Sequence, residues 1–317
     1  MFTDDDPSAL NASQRQRHLQ QMGSEIFDVV VVGGGVTGAG AALDAASRGL
    51  RVALIEQRDY ASGTSSRSSK MLHGGLRYLE QFQFGLVREA LRERNLMLNH
   101  LCPHMVKPVS FVYPLRHRVW ERAYVGAGVL LYELLARLAD NPLPWHSHLG
   151  EAGMQQLVPA LDARGGVRYW DTVVDDARHT MTLARTAARH GALLASSTRL
   201  THIATSEGRI ESVDVADLES GRSTTIRTRT LINATGVWTD DIEGLAGHHS
   251  QDVRASKGIH FLVPKDRIDA SSGIILRTKA SVLFVIPWES HWIVAPPTRL
   301  GNWAVPIPPP AGPTSTT

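Results

Sequence analysis

Cysteine is all but missing: Cys102 stands alone among 317 residues. That excludes a disulfide framework and any iron-sulfur or zinc site built on thiolates, and it makes a reducing cytoplasm the natural compartment. A bias to one sign of charge is missing too. The formal net charge is +2 and no block of like charge forms an arm, so nucleic acid is not an expected partner. The sequence pI near 8.8 leans basic, which suits an anionic substrate or a membrane surface without demanding either. No uninterrupted apolar run reaches the roughly twenty residues a membrane span needs. The most hydrophobic stretch, 119–140, is broken by Glu121, Arg122, Glu133 and Arg137, and reads as a packed helix with a wide apolar face, a membrane-interface helix being the alternative. Residues 1–25 lack an apolar core segment, carry acid near the start, and read as a frayed polar extension rather than a targeting signal. No G-x-S-x-G, Walker lysine loop or HExxH occurs. His100 with His104 and His146 with His148 have metal-compatible spacing but no third ligand in sequence, so no metal site is expected.

What is present is organised around IFDVVVVGGGVTGAGAALDAASRGLRVALIE, Ile26 to Glu56. Val29 to Val32 is the continuous β-branched run of a strand buried on both faces. Gly33, Gly35 and Gly38 follow as G-x-G-x-x-G. The first makes a tight turn, the second lets backbone approach a pyrophosphate, and the third lets helix and strand pack closely. Alanines keep the following helix thin, and its N-terminus offers free amides and the positive dipole end. Val52 to Ile55 is a second strand ending in Glu56, placed to accept hydrogen bonds from a ribose diol. This unit fits the ADP half of either NAD or FAD.

The loop that follows, 57–78, is dense in hydroxyl and backbone donors. Its run from Thr64 to Leu79, TSSRSSKMLHGGLRYL, closely resembles the signature of the FAD-dependent, quinone-linked glycerol-3-phosphate dehydrogenases, within the glycine-oxidase-like FAD-dependent oxidoreductase superfamily. VVDDAR, 173–178, resembles the same family, and the strand end Ala234-Thr235-Gly236 resembles the superfamily's second flavin-contacting strand. The resemblance implies an α/β fold: a Rossmann-like FAD domain with a parallel sheet, and an antiparallel-sheet substrate, or cap, region. The expected boundaries are 26–78 with 165–250 for the FAD domain and 79–164 with 251–294 for the cap. Thr64, Ser65, Ser66, Ser69, Lys70, His73, Ala234 and Gly236 are then expected on the cofactor, beside Gly33, Gly35, Gly38 and Glu56.

Elsewhere the pattern predicts a helix over 79–100, a connecting region over 141–168, a strand over 253–264 with His260 near its middle, and a hairpin over 275–294 turning at Glu289-Ser290. The implied reaction is oxidation of sn-glycerol 3-phosphate to dihydroxyacetone phosphate, with electrons passed to a quinone and a seat on the inner face of the plasma membrane. Arg77 supplies the guanidinium fork for substrate phosphate, with Tyr78 beside it, and His260 is the leading base, an imidazole titrating near neutral pH. Two alternatives stay open: an amine or amino-acid oxidase of the same superfamily, and a flavin-binding fragment without catalysis. The resemblance is expected to stop at Val294. The Pro-rich tail 295–317 reads as the product of a reading-frame change, with the family's C-terminal helical domain missing and activity impaired, because bases able to encode Gly-Thr-Thr-Asp-Thr spell Ala295 to Thr298 one position later.

Overall fold

The computed structural model describes residues 6–117, 119–247, 253, 255–278, 282–295 and 299–300. The chain forms two compact units. It crosses from the first to the second at Ser68–Ser69, back at Asp175–Asp176, and again at Ala255–Ser256.

In the first unit, Val29–Val32 pairs in parallel with Val52–Ile55 and with Leu231–Asn233, and Val52–Ile55 pairs in parallel with Leu193–Ala195. All four side chains of Val29–Val32 are buried, and they divide by the period of two that a strand imposes. Val30 and Val32 pack with Phe27, Leu200, Val213 and Ile226. Val29 and Val31 pack with the alanines of the helix Val36–Ser47 and with Ala184, Ala187 and Ala188 of the helix Asp176–Arg189. Small side chains on both helices allow that close layer. A second sheet covers the other face, its strands Thr198–Ser206, Arg209–Asp217 and Ser223–Thr228 running antiparallel as the alternating sequence requires.

Residues 12–24 are not a frayed extension. Ala12–Ser24 is a helix opened by a full capping box between Asn11 and Gln14. Leu19 and Met22 enter the core of the first unit, and Arg15 is buried. Its guanidinium donates to the carbonyls of Ser196 and Ser197 at 2.8 and 3.2 Å, pairs with Asp217, and reaches Glu219 at 3.3 Å. The polar look of this segment misled because its buried face carries an arginine whose partners are distant in sequence.

The second unit is built on an eight-stranded sheet. It is antiparallel except for one parallel pairing, Gly273–Arg277 against Lys107–Pro114. Gly165–Val173 pairs from Gly166 onward with the whole of Lys107–Pro114, and Met71–Leu72 pairs with its far end. Those pairings are why 69–78 and 165–175 belong here rather than to the first unit as the sequence suggested, while Val253 and Ala255 fall to the first unit. The expected connecting region also has structure. Ser147–Gly150 is a strand on Gly165–Val173, and the helix Glu151–Leu157 that follows buries Met154 against Val112 and Trp292. The helix expected over 79–100 starts only at Phe84, because Phe82 takes a left-handed φ of 57° and ends the preceding turn, and it finishes as a π-turn over Met97–Leu101. The hairpin turns at Glu289-Ser290 as read. His260 is not in a strand; it immediately precedes Phe261–Pro264.

The helix Trp120–Arg137 is inverted relative to a usual surface helix. Glu121, Tyr132 and Glu133 are buried, whereas Trp120, Tyr124, Leu130, Leu131, Leu134 and the following Leu138 are exposed. Glu121 accepts from the amides of Arg116 and His117 at 2.6 and 2.9 Å, and Glu133 takes His146 Nδ1 at 2.7 Å. No helix among the described residues is long and apolar enough to cross a membrane.

The N-terminal helix should undock in acid. Burial holds the His18 imidazole below its ordinary value. Its contribution is therefore complete above about pH 6.5 and is lost as pH falls below that. At Asp217, burial pushes the carboxyl up but hydrogen bonds from Arg15 and Ser220 outweigh it, so the carboxyl sits below its ordinary value and its contribution disappears as pH falls further. Arg15→Met should cost about 1.5–3 kcal/mol near neutrality. Thermal unfolding from pH 8 to 4 checks this: the gap between wild type and variant should narrow at the acid end, and a pH-independent gap would contradict the assignment.

Candidate functional site

The glycine turn is built by close contacts that only glycine allows. Gly33 has φ +108°, and a Cβ there would lie 2.5 Å from the Ala234 carbonyl oxygen. A Cβ on Gly38 would drive into the Gly33 carbonyl oxygen. Gly34 is pressed against Tyr60 and Glu56, and burial pushes the Tyr60 hydroxyl up, so it stays neutral. The Glu56 carboxylate ties the turn to the second strand: Oε2 accepts from the Gly34 amide at 2.6 Å and Oε1 from the Arg58 amide at 2.8 Å. Each oxygen keeps a further lone pair for a ligand hydroxyl.

Gly35 is the N-cap of Val36–Ser47 and has no side chain to cap it. Ser65 does so from a distance, its Oγ accepting the Val36 amide at 2.8 Å. Thr64–Ser66 forms a 3₁₀ turn, and Ser68, just beyond it, donates its hydroxyl to Asp176 Oδ2 at 2.6 Å. The hydroxyl-rich loop is thus held across the N-terminus of the glycine-turn helix, where an anion is favoured by free amides and by the dipole.

These parts line one cleft of about 410 Å³ lying wholly within the first unit. Gly33, Gly35, Glu56, Thr64, Ser65, Ala234 and Gly236 all face it. Gly38 and Ser66 are not on its wall; Gly38 acts from beneath through the packing just described. Arg58 and Trp238 also line the cleft and were not singled out from sequence. The Arg58 guanidinium lies 5.0 Å from the Trp238 ring centroid, and Trp238 Nε1 is buried without an acceptor among the described residues. Only Arg58's place two residues after Glu56 could have drawn attention to it. A glycine cradle, an anion-seeking helix end, a carboxylate with spare lone pairs and an orphan donor together fit the ADP portion of a dinucleotide.

Ser69, Lys70, His73, Arg77, Tyr78 and His260 belong to the second unit. Lys70 has φ 60° and sets its ammonium 5.8 Å from the Trp288 ring centroid. His73 Nδ1 accepts the Gly75 amide at 3.0 Å, which places its proton on Nε2. Gly75, at φ +69°, starts the 3₁₀ turn Leu76–Leu79, and a Cβ on it would strike the Tyr78 ring. Arg77 is exposed, with its guanidinium 5.9 Å from the Tyr78 ring centroid. His260 is half-buried. Among the described residues no group of three His, Cys, Asp or Glu is arranged to hold a metal, and His146 is engaged by Glu133.

The model of the FAD dependent oxidoreductase family matches residues 28–314, running past Val294, where the resemblance was expected to stop. Glycerol-3-phosphate dehydrogenase of Mycobacterium leprae is 55% identical over 291 residues, covering 90% of this chain and 49% of that protein. The mitochondrial glycerol-3-phosphate dehydrogenase of Mesocricetus auratus is 33% identical, covering 89% of this chain and 41% of that protein. The solved glycerol-3-phosphate dehydrogenase from Bacillus halodurans, complexed with FAD, superposes with a TM-score of 0.71 at 25% identity, over 92% of this chain and 51% of its own. The chain therefore spans about half the length of the relatives it matches.

Two glycine substitutions should separate ligand approach from packing. Gly38→Val should destabilise the first unit by about 1–3 kcal/mol through overpacking. Gly35→Val, whose Cβ would crowd Ser65 Oγ at 3.2 Å, should cost only the displaced cap, about 0.5–1 kcal/mol, and abolish protection by added dinucleotide. Thermal melts with and without ligand distinguish them, and retained protection in Gly35→Val would refute the cradle.

Proposed function

The chain belongs to the FAD dependent oxidoreductase family, and from that premise we propose that it binds FAD and oxidises sn-glycerol 3-phosphate to dihydroxyacetone phosphate, with quinone as the final electron acceptor. One observation carries the reading: the glycine turn, Glu56, the Thr64–Ser65 loop and the Ala234–Gly236 strand end converge on one cleft at a helix N-terminus. A plain NAD domain has no need of that last strand end.

Within the cleft, the Val36 amide and the turn amides hold the pyrophosphate, and Glu56 accepts the ribose hydroxyls through its spare lone pairs. The chemistry that FAD supplies when bound is acceptance of a hydride. The protein's tasks are then to seat the substrate and to remove one proton. Arg77 takes the phosphate through a charge-assisted fork, with Tyr78 shaping its surroundings. His260 takes the proton of the C2 hydroxyl.

The purified chain should be yellow, and FAD rather than NAD should raise its melting temperature. Glycerol 3-phosphate should bleach the flavin absorbance, and His260→Asn should slow bleaching by about 10²–10⁴-fold. Bound flavin that no substrate bleaches would favour the non-catalytic fragment; bleaching by an amino acid instead would favour an amine oxidase.

The helix Trp120–Arg137 supports a membrane surface as the meeting place with quinone. Its outward face is apolar, its carboxylates turn inward, and basic and aromatic groups pair at both ends: His117 stacks on Trp120 at 5.6 Å, and Arg137 lies 4.6 Å from the Trp145 ring centroid. That is the pattern of an interfacial helix. Anionic phospholipid vesicles should carry the protein down on sedimentation. A variant with Leu131→Glu and Leu134→Glu should stay in the supernatant, and sedimentation equal to wild type would count against this face.

A further inference from the structure

The turn that carries Arg77 is anchored from below by a buried polar relay within the second unit. The Gly74 amide donates to Tyr132 Oη at 2.6 Å, and that hydroxyl donates to Asp171 Oδ2 at 2.8 Å. Asp171 Oδ1 accepts from Arg94 Nη1 at 3.0 Å and from the Thr172 amide at 3.2 Å. Arg94 Nη2 reaches Asn95 Oδ1 and Asn141 Oδ1 at 2.8 and 2.9 Å, and Asn95 Nδ2 returns to the carbonyls of Ala136 and Ala139. Arg94, Asn95, Tyr132 and Asp171 are each 2% exposed or less.

A buried ion pair is a poor route to stability, since a well-packed apolar cluster of the same volume does as well or better. Such a network does fix geometry, because every member has only one satisfied arrangement. Of the backbone amides the network holds, which include those of Thr172 and Leu143, that of Gly74 is the one that opens the turn carrying Arg77. Gly74 has no alternative seat: a Cβ there would lie 2.5 Å from Leu91 Cγ and 2.8 Å from Tyr132 Oη. Burial first, and then the neighbouring Asp171, push the Tyr132 hydroxyl well above its ordinary value. Its proton therefore stays committed to Asp171 and its oxygen stays available to Gly74.

We infer that Tyr132, oriented by Asp171 and Arg94, is a positioning residue that sets the His73–Tyr78 turn and thereby the affinity for the substrate's phosphate. The second clause rests on the reading of Arg77 as the phosphate ligand; the first does not.

Tyr132→Phe removes only the hydroxyl. Val129→Ala, in the same helix at a core position 1% exposed, is the control for general destabilisation. Amide hydrogen exchange of the ligand-free chain reads the first clause: exchange in the turn should quicken about tenfold in Tyr132→Phe and stay near wild type in Val129→Ala. Calorimetric titration of the FAD-loaded chain reads the second: Tyr132→Phe should weaken glycerol 3-phosphate about tenfold and leave the weak binding of glycerol unchanged, with FAD content intact. Unchanged exchange in the turn of Tyr132→Phe, or a change matched by Val129→Ala, would overturn the positioning role. Arg77→Ala tests the reading beneath it: if that variant binds glycerol 3-phosphate like wild type, Arg77 is not the phosphate ligand, and the exchange result still decides the role of Tyr132.

Discussion

The contact between Gly33, Gly38 and Ala234 is the constraint on which the first unit depends. Three backbone segments meet there with no side chain between them, because a Cβ on either glycine would collide with a carbonyl oxygen. Their approach brings the helix Val36–Ser47 down onto the sheet at the point where its strands end. The end of the neighbouring strand Leu231–Asn233 is thereby brought to the same place. A helix N-terminus, a strand end and the Glu56 carboxylate then converge without any of them being aimed individually. Alanine layers on two helices extend the same logic, since thin helices are what allow the close layer to persist across the sheet.

The second unit solves a different problem. Its longest helix buries carboxylates and a tyrosine and exposes leucines, the reverse of the usual partition. Each buried carboxylate has a partner close by: Glu121 two backbone amides, Glu133 the His146 ring on one of its two oxygens, and Asp171, on the adjoining strand, Arg94 and Tyr132. Because those groups must be satisfied, they dictate where the turn at Gly74 and the loop at Arg116 can lie. The outward leucines contribute nothing to that geometry and remain available to another surface.

Sequence made the glycine turn, Glu56, the Ser65 loop and the Ala234 strand end legible, because each is local and its spacing reflects a mechanical need. It failed where partners lie far apart in the chain. Arg15 looked like one more polar residue in a polar segment, since nothing near it hints at Asp217 or at the Ser196 carbonyl. Asp171 and Arg94 were passed over for the same reason, being separated by 77 positions. The unit boundaries slipped because the pairing of Met71–Leu72 with the end of Gly165–Val173 is a long-range event, and a short strand carries little periodicity of its own. His260 looks mid-strand in the sequence because flanking residues share strand composition, which cannot say where hydrogen bonding begins.

Both of the proposed binding loops nevertheless use one device. In the first unit a side-chain hydroxyl, Ser65, accepts a backbone amide beside a glycine, and in the second Tyr132 does so at Gly74 itself. The glycine removes the side chain that would hold the hydroxyl away, and the hydroxyl fixes the amide's direction. They differ in what stands behind the hydroxyl. The Val36 amide is exposed, so an anion can compete for it and Ser65 can yield. Tyr132 is locked by Asp171 and buried, so it cannot yield. The first arrangement suits an amide that must be handed to a ligand, and the second suits a backbone that must stay still while a neighbouring side chain binds.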